Sequence, residues 1–221
     1  MRVAVLFSGG KDSTLALHEV AGEGHEISTL VSVVSSNPDS FMFHVPGIEL
    51  TELQAEAMRL PRLVVRTSGI EEREVDELLS GLRGLEVDAI VTGAIQSEYQ
   101  RKRFGRVASE LEVEHMTPLW KRDPWEVLRK EISTFDVFMT GCSADGLTDR
   151  WLGKVLEPTD IAELEKINKR YGVHPAGEGG EYETAVLDAP MFQRKLSIAY
   201  DKEWKSSSGK LVIKKAGLVP K

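Results

Sequence analysis

Six residues near the N-terminus have the types and spacing of a phosphate-binding loop: Ser8, Gly9, Gly10, Lys11, Asp12 and Ser13. They follow the apolar run 3–7 and precede a helical pattern, which predicts a strand, a tight turn and a helix N-terminus. The two glycines let the backbone curl closely around an anion. The amides and dipole of the helix start attract negative charge, Lys11 adds a positive charge, and the serines offer hydroxyl donors. The segment therefore predicts a phosphate cradle.

The loop differs from a Walker A motif, which requires the spacing G-x-x-x-x-G-K-[ST]. Asp12 follows Lys11, and Val5 rather than glycine stands five residues before Gly10. The segment instead resembles the SGGxDS pyrophosphate loop of the ATP pyrophosphatases, within the adenine nucleotide alpha hydrolase superfamily. Those enzymes split ATP between its α- and β-phosphates and activate a substrate as its adenylate. The resemblance implies the same chemistry here.

A second cluster, GAIQSEYQRKR at 93–103, follows the fourth predicted strand. In a doubly wound sheet of order 3-2-1-4-5, strands one and four are neighbours at the switch point where ligands bind. We therefore expect Gly93 and its neighbours to face the phosphate loop, with Ser97 capping the following helix. Ser97 and Arg101 share one helix face, as do Tyr99 and Arg103. An arginine turned toward the crevice would contact phosphate. A solvated basic helix face is the alternative.

A third cluster, GEGGEYET at 177–184, is predicted as a glycine-rich and acidic loop. It combines the carboxylates of Glu178, Glu181 and Glu183 with the ring of Tyr182. Glycines permit close approach of the backbone to a ligand. Carboxylates suit Mg²⁺, a cationic substrate or a proton-transfer role. A flexible acidic turn without function is the alternative.

The elements that must position these clusters alternate along the first half of the chain. Predicted strands are 3–7, 27–34, 63–66, 88–92 and 113–117, and predicted helices are 13–23, 49–59, 71–82 and 97–111. This alternation predicts an α/β fold, a doubly wound parallel five-stranded Rossmann-like sheet of order 3-2-1-4-5. Beyond a linker at 118–124 come helices 125–132 and 160–171 and strands 136–140, 195–200 and 210–214. We predict an ATP-binding domain over 1–120 and a smaller α+β substrate-binding domain over 121–221.

The composition excludes several classes of protein. Of 221 residues, 41% are hydrophobic and 29% are charged, values typical of a soluble globular protein, and no apolar run approaches membrane-spanning length. The single cysteine excludes a disulfide framework and a Cys-x-x-Cys site. The net charge of −7 disfavours a broad nucleic-acid-binding surface. The N-terminus lacks a signal-peptide pattern, so we expect a cytoplasmic protein.

Taken together, the clusters resemble the diphthine–ammonia ligase (diphthamide synthase) family nearly from end to end. The segments that carry the resemblance are SGGKDS at 8–13, NPDSFMFH at 37–44, GAIQSEYQRKR at 93–103, PLW at 118–120, DGL at 145–147, LG at 152–153, GEGGEYET at 177–184 and DAP at 188–190. GEGGEYET is highly specific to the family, whereas SGGKDS is shared with the superfamily. Ala176 stands where many relatives carry cysteine, which argues against an essential thiol there.

The resemblance implies an ATP-dependent carboxylate–ammonia ligase with ATP and Mg²⁺ as cofactors. Such an enzyme adenylates the carboxylate of diphthine, a modified histidine of elongation factor 2. It then amidates that carboxylate with ammonium to give diphthamide, and it releases AMP and pyrophosphate. Elongation factor 2 and ammonium would be the partners of this chain, and a homo-oligomer is left open.

Site roles follow from the same resemblance. The residues expected to be catalytic are Lys11, Asp12, Arg101, Glu178, Glu181 and Glu183, with Asp12 also binding Mg²⁺. The residues expected to bind the nucleotide are Ser8, Gly9, Gly10, Lys11, Asp12, Ser13, Gly93, Ser97 and Arg103. The residues expected to bind the acceptor are His44, Tyr99, Gln100 and Tyr182. Cys142, the lone cysteine, is expected to pack rather than to act as a nucleophile.

Two other functions stay open at this point. A tRNA-modifying adenylating enzyme would use the same ATP loop, although the negative net charge and the shortage of cysteines for thiolation weaken that interpretation. A non-catalytic ATP-binding module is disfavoured by the presence of Lys11, Asp12 and the acidic cluster. Release of AMP and pyrophosphate separates an enzyme from a module, and acceptor dependence separates a protein substrate from tRNA.

Overall fold

A five-stranded parallel sheet of order β3-β2-β1-β4-β5 organises the first half of the computed structural model, which describes residues 1–37 and 47–221. Its strands are β1 (Arg2–Leu6), β2 (Glu26–Ser35), β3 (Arg62–Thr67), β4 (Ala89–Val91) and β5 (Glu114–Met116). Its helices are α1 (Lys11–Gly22), α2 (Leu50–Met58), α3 (Arg73–Leu82) and α4 (Glu98–Glu110). The fold class and strand order predicted from the sequence are confirmed.

Helices cover both faces of this sheet, which is why its central strands are nearly continuous apolar runs. Val3 and Val5 of β1 pack into a cluster with α1 and α2. Ala4 of β1 and Ile90 of β4 pack on the other face, into a cluster with α3 and α4. Because successive side chains point to opposite faces, both clusters draw on the same strands.

The second half of the chain forms an antiparallel sheet of order β7-β6-β9-β8. Its strands are β6 (Val137–Cys142), β7 (Tyr182–Val186), β8 (Lys195–Lys205) and β9 (Ser208–Val219), and its helices are α5 (Pro124–Thr134) and α6 (Ile161–Tyr171). The predicted α+β character of this part is confirmed. The prediction of a loop through 177–184 is wrong from Tyr182 onward, because Tyr182 and Thr184 are buried and pair with β6.

One hydrophobic core joins the two halves. A single cluster of buried side chains extends from Val3 in β1 to Leu211 in β9. The backbone of β7 also reaches the phosphate loop, since the Val186 amide donates to the Gly9 carbonyl at 3.0 Å. The division of the chain into 1–120 and 121–221 stays a prediction. Within the two described ranges, no helix is both long enough and apolar enough to cross a membrane.

A methyl group at Gly93 has no room, so we expect Gly93→Ala to destabilise the fold. The added Cβ would lie 2.8 Å from the carbonyl carbon and oxygen of Asp12 and 2.9 Å from the amide nitrogen of Ser13, all of them backbone atoms. Chemical denaturation should show a loss of about 1–3 kcal/mol in the free energy of unfolding. Gly22→Ala, where an added Cβ meets nothing within 4 Å, is the control. Equal stability of the two variants would contradict the close contact between β4 and α1.

Candidate functional site

A cavity of about 650 Å³ lies over the carboxyl ends of β1 and β4, at the switch point of the parallel sheet. Part of its wall is apolar and comes from Leu6, Val31, Val33 and Phe104. The remaining wall is polar and comes mainly from the loop 8–13 and from residues 176–184. An apolar wall beside convergent polar groups is the usual composition of a small-molecule site.

The start of α1 presents unused backbone donors to this cavity. The helix begins at Lys11 without a side-chain cap. Among the described residues, the amides of Asp12 and Ser13 find no hydrogen-bond acceptor. The hydroxyls of Ser8 and Ser13 lie 3.1 Å apart beside them. Unpartnered amides at a helix N-terminus are suited to bind an anion such as phosphate.

The phosphate loop is held in shape from two sides. Gly9 adopts a φ of +79°, a conformation that favours glycine. Gln54 of α2 donates from Nε2 to the carbonyl oxygens of Gly9, at 2.8 Å, and Val186, at 2.9 Å. From β7, the Thr184 hydroxyl accepts a hydrogen bond from the Lys11 amide at 3.2 Å. These contacts hold the loop in the shape of a cradle.

Lys11, expected at the phosphate cradle, has its ammonium group inside the protein. The residue is 1% exposed. Its Nζ donates to both Asp12 carboxylate oxygens at 2.8 Å and to the Ala176 carbonyl oxygen at 2.6 Å. Burial lowers the pKa of this group, but the charges of Asp12 and Glu131 outweigh burial and raise the pKa above its ordinary value. Lys11 therefore stays charged and ties α1 to the segment that precedes the acidic cluster.

Glu131 of α5 is a buried acid that the sequence analysis did not select. It is 0% exposed, and its Oε2 lies 3.8 Å from Lys11 Nζ. Neither oxygen accepts a hydrogen bond from a described residue. Burial raises its pKa, the charge of Lys11 lowers it, and Asp12 raises it again, so the net direction is upward. Its only sequence signal was an acid on the apolar face of a helix.

The carboxylates of two of the three acids in 177–184 accept hydrogen bonds from backbone amides. Glu178 accepts hydrogen bonds from the amides of Ile95, at 2.7 Å, and Gln96, at 2.9 Å. Glu181 accepts from the amides of His174 and Gly179, both at 2.9 Å. Glu178 thus fastens the acidic segment to the start of α4, and Glu181 fixes the shape of the segment itself.

Glu183 is the acid that remains available to a ligand. It lines the cavity, and no described residue donates a hydrogen bond to its carboxylate. Burial raises its pKa to about 7, with Lys11 lowering it and Asp12 raising it. A carboxyl group with a pKa near neutrality is matched to proton transfer at physiological pH.

Tyr182 lines the cavity, but almost all of its side chain is buried. It is 4% exposed, and its hydroxyl donates to the Pro175 carbonyl oxygen. Lys11 Nζ lies 5.5 Å from the centre of its ring, within cation–π range. The ring that was expected to receive a substrate cation already faces a cation of the protein.

The structure brings one part of the cluster 93–103 to the cavity and leaves the arginines outside. Gly93, Ser97, Tyr99 and Gln100 line it, and Ser97 caps α4 as predicted by accepting from the Gln100 amide at 3.3 Å.

Arg101 and Arg103 are absent from that lining among the described residues. Arg101 stacks over the Trp120 ring at 4.9 Å. Arg103 pairs with Glu71 at 3.1 Å and Glu72 at 2.6 Å. The assignment of these two arginines to the phosphates stays a prediction.

Three further sequence predictions concern Asp12, Cys142 and His44. The Asp12 side chain is 29% exposed, so it keeps lone pairs available beyond its bonds to Lys11. No group of three or more His, Cys, Asp or Glu residues in the described ranges is placed to hold a metal ion. Asp12 therefore fits an Mg²⁺ that is bound largely by phosphates and water.

Burial raises the pKa of the Cys142 thiol to about 12, which keeps it protonated. The prediction for His44 lies outside the described residues.

Comparison with known proteins identifies relatives that match most of the chain. The family model of the diphthamide synthase N-terminal domain matches residues 1–115, and that of the C-terminal domain matches residues 123–219. Diphthine–ammonia ligase of Rattus norvegicus is 37% identical over 90% of this chain and 83% of its own. The human protein of that name has the same identity and coverage. The Schizosaccharomyces pombe protein is 32% identical, over 96% of this chain and 38% of its own.

A solved structure resembles the fold at lower sequence identity. It is the crystal structure of a "predicted subunit of tRNA methyltransferase" from Methanocaldococcus jannaschii. The two chains superpose with a TM-score of 0.50 at 19% identity, and the match covers 86% of this chain and 98% of the other. This likeness supports the fold alone.

Removal of the Lys11 charge should destabilise the protein. Lys11→Met keeps the length of the side chain but leaves Glu131 buried without its counter-charge. We expect chemical denaturation to show a loss of about 3 kcal/mol in the free energy of unfolding. Lys130→Met, which breaks the ion pair between the exposed face of α5 and Glu19 of α1, is the control and should lose at most about 1 kcal/mol. Similar small losses in both variants would show that the buried ammonium contributes little to stability.

Proposed function

The chain belongs to the diphthamide synthase (diphthine–ammonia ligase) family, and from that premise we propose that it converts the carboxylate of diphthine into a carboxamide. The carboxylate attacks the α-phosphorus of ATP, and pyrophosphate leaves. Ammonia, formed when ammonium gives up a proton, then attacks the acyl carbon and displaces AMP. Diphthine and ammonia are the substrates named for the relatives. Elongation factor 2 as the carrier of diphthine is part of the proposal.

The observation that carries this proposal is the meeting of two chemically distinct parts in one cavity. The amides at the start of α1 lie on one side, and the Glu183 carboxyl group from the second sheet lies on another. A ligase that activates a carboxylate and then adds ammonia needs an anion site beside a group that handles protons. The core shared by the two halves keeps both parts in a fixed relation.

Nucleotide binding would use the whole length of this cavity. The phosphates of ATP would accept hydrogen bonds from the amides of Asp12 and Ser13, with the serine hydroxyls beside them. Asp12 would hold Mg²⁺, directly or through water, and the ion would offset the phosphate charge. The adenine would rest against Val31, Val33 and Phe104, which supply the apolar wall. We assign to Lys11 the task of holding Asp12 and the backbone at Ala176, because its ammonium group is buried there.

Glu183 is the residue that we assign to the ammonia step. Ammonium must lose a proton before its nitrogen can attack the adenylate, and a carboxylate both attracts the cation and accepts the proton. The availability of Glu183 and its pKa near neutrality suit this role. Glu178 and Glu181 act as positioning residues for the acidic segment, because their oxygens are engaged by backbone amides.

Replacement of Glu183 should separate ATP binding from amide formation. For Glu183→Gln we expect amide formation to fall by roughly 10²–10⁴-fold, the usual contribution of a general base. The dissociation constant of ATP should stay within about threefold of wild type, since no nucleotide contact is assigned to this group. Calorimetry and a discontinuous product assay measure the two quantities. Glu203→Gln, at an exposed acid of β8, is the matched control. Wild-type amide formation by Glu183→Gln would remove this assignment.

The pH dependence of amide formation should carry the signature of Glu183. A base acts in its ionised form, so the rate should rise with pH through an inflection near pH 7, the raised pKa of this carboxyl group. Free ammonia also increases with pH, but that slope persists in Glu183→Gln. Rates at constant free ammonia, measured for both proteins, isolate the inflection. An inflection that survives in the glutamine variant would assign it to another group.

The acceptor is tested by supplying the two candidate substrates separately. With ATP, Mg²⁺ and ammonium, we expect AMP and pyrophosphate to form in the presence of elongation factor 2 that bears diphthine. Unmodified elongation factor 2 and bulk tRNA should give no more AMP than the enzyme alone. AMP formation that depends on tRNA would favour a tRNA-modifying enzyme. ATP binding without AMP formation under every condition would favour a nucleotide-binding module.

A further inference from the structure

Glu131 lies on the buried face of α5, where the helical pattern of the sequence predicts an apolar side chain. Its neighbours on the inner face of α5 are Val127, Leu128 and Ile132, all buried in the hydrophobic core. Glu131 is 0% exposed among them. Burial of a carboxyl group is unfavourable unless specific polar contacts offset it. A leucine would continue the apolar face, so the contacts that Glu131 makes must explain its presence.

These contacts lead to the start of α1. Glu131 Oε2 lies 3.8 Å from Lys11 Nζ, and the charge of Asp12 also acts on the carboxyl group. Lys11 in turn holds both Asp12 oxygens and the Ala176 carbonyl oxygen. Asp12 and Lys11 form the first turn of α1, whose free amides face the cavity, and Ala176 immediately precedes the acidic segment 177–184. Glu131 therefore supports, from inside the protein, the backbone that forms both walls of the site.

We propose that Glu131 is a positioning residue, which holds Lys11 and Asp12 in the arrangement that nucleotide binding requires. The inference rests on the proposed ATP-binding role of the loop 8–13. Glu131 touches no ligand in this account and acts through its two partners. The competing explanation is that residue 131 only fills volume in the core, in which case an apolar residue of similar size would serve equally well.

The effect on ATP binding distinguishes the two explanations. In calorimetry with Mg²⁺–ATP and the full chain, Glu131→Leu should weaken binding by about 10–100-fold, as loss of a supporting polar contact typically does. Glu131→Gln, which keeps size and polar contacts, should bind within about threefold of wild type. Glu126→Gln, at an exposed acid in the first turn of the same helix, is the matched control and should match wild type. Equal ATP affinity in the leucine variant and wild type would overturn the inference, as would equal weakening in the leucine and glutamine variants.

Thermal melting supplies a second readout that needs neither ligand nor activity. In Lys11→Met, Glu131 is left buried without a partner cation, so the melting temperature should fall. Adding Glu131→Leu to that variant removes the orphaned acid and should raise the melting temperature again. A double variant less stable than Lys11→Met would show that Glu131 does not act through Lys11. If the wild-type chain itself fails to bind ATP, the proposed function fails, while the melting series still tests the link between Glu131 and Lys11.

Discussion

The ammonium group of Lys11, buried where the two halves of the chain meet, is the interaction on which the site depends. It comes from the first turn of α1 and donates to Asp12 and to the carbonyl of Ala176, with Glu131 behind it. A buried charge is tolerated only when it is paired and hydrogen-bonded. The pairing therefore obliges the parallel sheet, the acidic segment and α5 to keep one relative position. The pairing of Lys11 therefore also sets the shape of the cavity over β1 and β4.

The three glutamates of the acidic segment 177–184 differ in what their carboxyl groups contact. The carboxylates of Glu178 and Glu181 accept hydrogen bonds from backbone amides. Glu178 thereby holds the segment against the residues that precede α4, and Glu181 fixes the turn within the segment. Glu183 extends from β7 into the cavity with its carboxyl group available and its pKa raised by burial. The same side chain therefore has different roles, because strand pairing of residues 182–186 with β6 fixes which acid faces the cavity.

Local patterns predicted the fold well and the pairing of side chains poorly. The order of the parallel sheet and the contact of Gly93 with α1 follow from alternating elements and the switch-point rule, which depend on sequence periodicity. The partners of Arg103, the burial of Lys11 and the role of Glu131 depend on contacts between residues far apart in the chain. No pattern within 93–103 indicates that Arg103 forms ion pairs with Glu71 and Glu72. The sequence analysis did not select Glu131, because its proximity to Lys11 is visible only in the folded chain.

The most direct test of the account is a crystal structure of the chain with Mg²⁺ and an ATP analogue that cannot be split between its α- and β-phosphates. We predict phosphate oxygens at ~3 Å from the amides of Asp12 and Ser13. We also predict that adenine contacts Val31 and Val33, that the Lys11 ammonium group still donates to the Ala176 carbonyl, and that Glu183 lies on the same side of the cavity as the α-phosphate. A nucleotide bound away from the start of α1, or Glu183 separated from the α-phosphate by the acidic segment, would contradict the account.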